Sequence, residues 1–156
     1  MAKHPRWTRR FLSEADFDAI AQAIVEAESR TSAELRVHLE RRVPRRLFRR
    51  TPDPLARARH VFARLGMQRT AERNGVLIYL AVGDRKLAVV GDEGIHGCVG
   101  DRHWDGVRDR MVEKLSAGAP RDAILGAIRE VGNALAEHFP RRRGDVNELG
   151  DEVSVS

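Results

Sequence analysis

Apolar residues recur along this chain at two spacings, and the spacings mark out its elements. Phe17, Ile20, Ala21, Ile24 and Val25 fall on one helical face, which predicts an amphipathic helix over residues 14–29. Ser13 and Asp16 supply the N-cap and the N3 carboxylate that open it. Leu35, Val37 and Leu39 then alternate with Arg36, His38 and Glu40, the pattern of a half-buried strand with His38 on its solvated face. An Arg-rich stretch containing Pro44 reads as a loop. Asp53-Pro54 opens a second helix carrying Ala58, Val61, Phe62 and Leu65, and Gly66 stops it. Asn74-Gly75 turns the chain into Val76–Val82, seven consecutive apolar residues that predict a central strand buried on both faces. Gly83-Asp84 makes a tight turn into an antiparallel strand, Lys86–Val90. Four glycines within Gly91–Gly100 predict a loop. Asp101 is placed to cap a helix carrying Trp104, Val107, Met111 and Leu115. After Gly118-Ala119-Pro120, a last helix carries Ile124, Ile128, Val131 and Leu135 until Pro140 ends it.

The resulting order is α-β-α-β-β-α-α. A helical crossover joins the first two strands, so they should be parallel and right-handed, and the third returns as a hairpin. The expected fold class is α/β: a three-layer α/β/α sandwich, with a small mixed sheet, a central β-hairpin and helices on both faces. Residues 1–12 are expected to form an N-terminal extension, 13–140 the domain, and 141–156 a tail. The tail is basic at Arg141, Arg142 and Arg143, then acidic at Asp145, Glu148, Asp151 and Glu152.

Composition narrows the function classes. A length of 156 residues suits one domain, and 42% hydrophobic against 33% charged residues excludes full disorder. No apolar run approaches the ~20 residues of a membrane-spanning helix. The first residues are polar, without the apolar segment of a secretory signal, which points to the cytoplasm. A single cysteine, Cys98, excludes an internal disulfide and a cysteine-built zinc site. The net charge is +5, but all of the 28 basic residues except Lys3, Lys86 and Lys114 are arginine. That bias is what a GC-rich genome produces, so the charge is poor evidence for nucleic acid as a partner. The excess is concentrated at Arg41, Arg42, Arg45, Arg46, Arg49 and Arg50, a stretch able to meet phosphates or an anionic membrane surface. Only Phe48 interleaves it, so base stacking has little support, and a solvated loop is the bland alternative.

Strand direction locates the candidate chemistry. Asn74 precedes the central strand, and Asp92 and Glu93 follow its antiparallel partner, so both groups reach one end of the sheet. Asp101 can reach the same end, whereas Asp84 lies in the hairpin turn at the other. Oxygen ligands beside glycine-freed carbonyls suit a hard divalent cation, calcium or magnesium. The bland alternative has Asp92 and Asp101 capping turns and helices while Glu93 faces water. Arg73, adjacent to the cluster, argues against a cation. His96, Cys98 and His103 share the same region, but no signature of a Cys-His nucleophile surrounds them.

The helix opening on Leu12-Ser13, the block Arg73-Asn74-Gly75-Val76-Leu77 and the block Gly91-Asp92-Glu93-Gly94-Ile95 together resemble the TPM domain family, over roughly Phe11 to Pro140. The tail looks like the ending of a short, soluble branch of that family. The resemblance implies an α/β/α sandwich and a divalent cation, often calcium, held by acidic residues around the Asn-Gly and glycine-rich loops. Asn74, Asp92, Glu93 and Asp101 are the positions carried over, as ligands or structural caps. It further implies one of two activities. The first is a non-catalytic or weakly catalytic interaction module linked to membrane-protein maintenance, with a protein partner that includes LemA-type membrane proteins. The second is a metal-dependent acid phosphatase acting on phosphate monoesters. One position departs from the family pattern: Arg73 stands where many members carry an acid, which removes a negative ligand.

Overall fold

The computed structural model describes residues 4–44, 53–141 and 153–156. A short 3₁₀ helix over Arg6–Arg10 leads to α1 (Glu14–Glu28), then β1 (Leu35–Glu40), α2 (Pro54–Arg64), β2 (Val76–Ala81), β3 (Lys86–Gly91), α3 (Glu93–Val99), α4 (Asp101–Ser116), α5 (Pro120–His138) and β4 (Ser154–Val155). The strands form one mixed sheet in the order β3-β2-β1-β4. β1 and β2 are parallel, with Leu35 opposite Val76, and β2 and β3 are antiparallel, with Val76 opposite Gly91. The fold is therefore the expected α/β/α sandwich.

Local chemistry explains the element ends. Ser13 and Asp16 form a complete capping box on α1: each accepts a hydrogen bond from the other's backbone N–H. Asp53 accepts from the N–H groups of Leu55 and Ala56, and Pro54 occupies the first turn of α2, where no N–H is missed. Gly66 takes the left-handed backbone (φ 72°) that ends α2.

The two faces of the sheet are unequal. On one, α1, α4 and α5 bury Phe17, Ile20, Ile24, Val107, Met111, Ile124, Ile128 and Val131 against Val37, Leu39, Ile78, Leu80 and Val89. On the other, α2 alone buries Ala58, Val61 and Phe62, with Met67, against Leu77, Tyr79, Ala81 and Ala88.

Three expectations are corrected. The stretch Gly91–Gly100 is mostly helix: α3 forms because Asp92 accepts from the N–H of Glu93 at its start. Of its glycines only Gly100 has positive φ (74°). Tertiary packing outweighs the ~1 kcal/mol that each helical glycine costs. At Gly94 a side chain would collide with the carbonyls of Glu72 and Arg73, so the poor helix former is the residue that lets α3 dock. β1 is buried on both faces, because on the side that alternation marks as polar Ser154 and Ser156 close over His38 and Arg57 of α2 pairs with Glu40, so His38 is 5% exposed. Asp101 does not cap α4: Gly100 holds the cap position, and Asp101 is the first helical residue. The chain end adds β4 in parallel beside β1, pairing His38 with Ser154 and Leu39 with Val155.

Candidate functional site

The antiparallel pairing of β2 and β3 brings Asn74-Gly75 and Asp92 to one corner of the sheet. The N–H of Asp92 donates to the Gly75 carbonyl (2.9 Å), and the N–H of Gly94 to the Arg73 carbonyl (2.7 Å). Arg73 itself is held at positive φ (51°), a backbone that non-glycine residues seldom adopt. Asn74 is 1% exposed, and its backbone N–H is held by the Thr70 hydroxyl (3.2 Å). Among the described residues neither atom of its side-chain amide has a hydrogen-bond partner, nor has the buried Oδ2 of Asp92. Buried polar groups are nearly always satisfied, so the orphaned atoms mark this corner as one with room in its hydrogen bonding for a further partner.

Glu93 and Asp101 lie elsewhere. Both line a cleft of about 500 Å³ on the outer side of β3, and the Asp101 side chain is 89% exposed. The four candidate residues thus divide into the buried Asn74 with the half-buried Asp92 at the corner and an exposed pair in the adjoining cleft. No group of three or more His, Cys, Asp or Glu side chains converges as a metal cluster among the described residues. The corner can offer the amide oxygen of Asn74 and one carboxylate oxygen of Asp92, fewer than the about six to eight oxygens of a usual calcium site.

The neighbouring nucleophile candidates are engaged otherwise. Cys98 is exposed and donates to the Gly94 carbonyl within α3 (3.4 Å). His96 accepts at Nδ1 from the Trp104 indole N–H (3.0 Å) and faces Asp101 at Nε2 (3.6 Å). Trp104 packs so closely on Gly91 that no side chain fits there. Burial lowers the pKa of His103. Of the arginine stretch, Arg41 and Arg42 are exposed, and Arg45, Arg46, Arg49 and Arg50 lie outside the described residues.

At the opposite end of the sheet is a buried polar network that alternation does not reveal. Glu40 accepts from Arg57 at Nε (2.6 Å) and Nη2 (3.0 Å), and from the hydroxyl of Tyr79 (2.9 Å). Burial opposes ionisation of Glu40, but the hydrogen bonds from Arg57, Ser156 and Tyr79 win and hold its carboxyl below the usual range. His38 packs beside Tyr79 and hydrogen-bonds Ser154 at Nδ1 and Ser156 at Nε2 (2.7 Å each). Burial lowers its pKa to about 4. The signal in sequence was slight: an acid ending a strand, and the only tyrosine within an apolar run.

Comparison with known proteins gives a family and, among solved structures, relatives that share the fold. The family model of the TPM domain matches residues 8–134. The BA42 protein of the psychrophilic bacterium Bizionia argentinensis has a similar solution structure. It is 37% identical, with a TM-score of 0.82, over 94% of this chain and 96% of that one. The N-terminal domain of the cg2496 protein of Corynebacterium glutamicum shares the fold at 15% identity and a TM-score of 0.61, over 95% of this chain and 93% of that one. Among curated proteins none matches the sequence significantly.

Proposed function

Because the chain belongs to the TPM domain family, we propose that it acts as a non-catalytic interaction module whose Asn74–Asp92 corner takes up a weakly held calcium or magnesium ion. The observation that carries this reading is the two unpartnered, inaccessible oxygens at this corner, Oδ1 of Asn74 and Oδ2 of Asp92. Asn74 and Asp92 would hold the ion, which would brace the 70–75 loop against α3. Few protein oxygens and the charge of Arg73 argue for an affinity at the weak end of the range, ~10⁻⁴–10⁻³ M. Glu93 and Asp101 fit better as surface groups of the adjoining cleft. The engagement of His96 with Trp104 supports a module without a nucleophile–base pair. A protein partner, with LemA-type membrane proteins the class to try first, follows from the family's link to membrane-protein maintenance.

Titration with calcium or magnesium chloride, followed by backbone amide shifts, tests the reading. Selective shifts at Gly75 and at residues 92–94 are expected. Asp92→Asn, which can still cap α3, should abolish them, and Arg73→Asp should tighten binding several-fold by exchanging a positive charge for a negative one. Small uniform shifts, indistinguishable from salt screening, would overturn the cation site. Hydrolysis of p-nitrophenyl phosphate that a chelator abolishes would instead favour the metal-dependent acid phosphatase.

A further inference from the structure

β3 is an edge strand, and the hydrogen-bond phase of the sheet fixes what its outer side presents. Val76 and Val82 give their N–H groups to carbonyls of the β1 segment, at Glu34 and Glu40, and Asp92 gives its N–H to Gly75. With Val76 opposite Gly91, the bonded pairs are therefore Leu77 with Val90, Tyr79 with Ala88 and Ala81 with Lys86. Leu87, Val89 and Gly91 turn their backbone N–H and C=O groups outward, and among the described residues no strand pairs with them. Natural edges are usually guarded by charge, proline or a bulge. The sequence Lys86–Gly91 has one charge, at its first residue, no proline, and an unbroken register.

The open edge forms the floor of the cleft of about 500 Å³. One wall is the first turns of α2, where Leu55 is 40% exposed, a large apolar side chain facing water. The other wall is α3 with the start of α4, carrying Glu93, Asp101 and Asp105 above Trp104. Asp53 adds a fourth carboxylate, against Arg59 and Arg108, and Arg108 already faces Asp105 (3.7 Å) and Asp109 (3.4 Å). On a chain of net charge +5, the cleft is an acidic patch.

We propose that this cleft receives an extended basic segment of a partner protein as a fifth strand on β3. Its backbone bonds to Leu87, Val89 and Gly91. Because side chains of a strand alternate, one set packs on Leu55 and the other sends lysine or arginine to Glu93, Asp101 and Asp105. The inference rests on the reading of the chain as a partner-binding module and is independent of the cation.

The probe is a synthetic peptide of about eight residues alternating valine and lysine, titrated into the full chain in calcium and again in chelator. Expected are saturable shifts and slowed exchange at Leu87, Val89 and Gly91. Leu55→Asp, and separately Asp101→Lys with Asp105→Lys, should each weaken binding at least about tenfold. All three positions are exposed, so the fold should survive. The same peptide N-methylated at alternate residues should not bind, because it cannot make the strand bonds. Equal binding by a valine–glutamate peptide, full binding by the N-methylated peptide, or shifts confined to other surfaces would overturn the proposal. So would edge-to-edge dimerisation without peptide, seen as concentration-dependent shifts of the same amides in the free chain. A peptide response in the cleft with no response of the corner to calcium would count against the cation site alone. A calcium response without any peptide response would count against the cleft alone.

Discussion

At the scale of single residues, the buried ion pair of Glu40 and Arg57 decides more than its place on a strand end suggests. Both side chains are largely withdrawn from water, and the carboxylate also holds Tyr79. A buried pair contributes modestly against an apolar replacement, but removing one member leaves the other charged and unsolvated. Arg57→Ala should therefore destabilise the fold by about 3 kcal/mol, read as a lower urea midpoint at unchanged slope. Glu40→Gln with Arg57→Met should recover much of that loss, because no charge is then stranded. Gly94 shows the same dependence on tertiary context. Its missing side chain looks like a loop signal in the sequence, yet it is the space that the carbonyls of Glu72 and Arg73 occupy.

At the scale of elements, β4 is two residues long and cannot stand by itself. It is held through His38, whose two ring nitrogens meet the hydroxyls of Ser154 and Ser156. Burial lowers the folded pKa of His38 from 6.5 to about 4. Between these values the unfolded chain binds a proton that the folded chain refuses, so this contribution to stability is present above about pH 6.5 and is lost as pH falls toward about 4. The lowered carboxyl of Glu40 acts in the same direction at lower pH, losing its contribution as it protonates in the folded state. The urea midpoint should drop on going from neutral pH to about pH 5, and His38→Gln should flatten that dependence. Removing residues 154–156 should move the His38 titration, followed by ring proton shifts, back toward its ordinary value, because the ring regains water.

At the scale of the whole molecule, the corner and the cleft share β3 and α3, so ligands at either should report on the stability of the domain. Calcium at about ten times a dissociation constant of ~1 mM should stabilise the chain by about 1.4 kcal/mol, measured as a rise in Tm that magnesium shares and sodium at equal ionic strength does not. No helix among the described residues is long and apolar enough to cross a membrane.

The apolar spacing along the chain was enough to determine α1, α2, α4, α5, the buried strand β2, the parallel crossover and the hairpin. Each follows from local periodicity and from caps such as Ser13 and Asp53, whose effect reaches only a few residues. The nearness of Asn74 to Asp92 was legible too, since antiparallel pairing dictates it. Tertiary structure alone decided that the polar side of β1 is closed by Arg57 and the C-terminal serines, that glycines build α3, and that Glu93 and Asp101 face a cleft while Asn74 is buried. Those outcomes depend on which surface meets which, at sequence separations where no periodicity survives. A residue's polarity says that it needs water or a partner, and only the packed chain determines which of the two it finds.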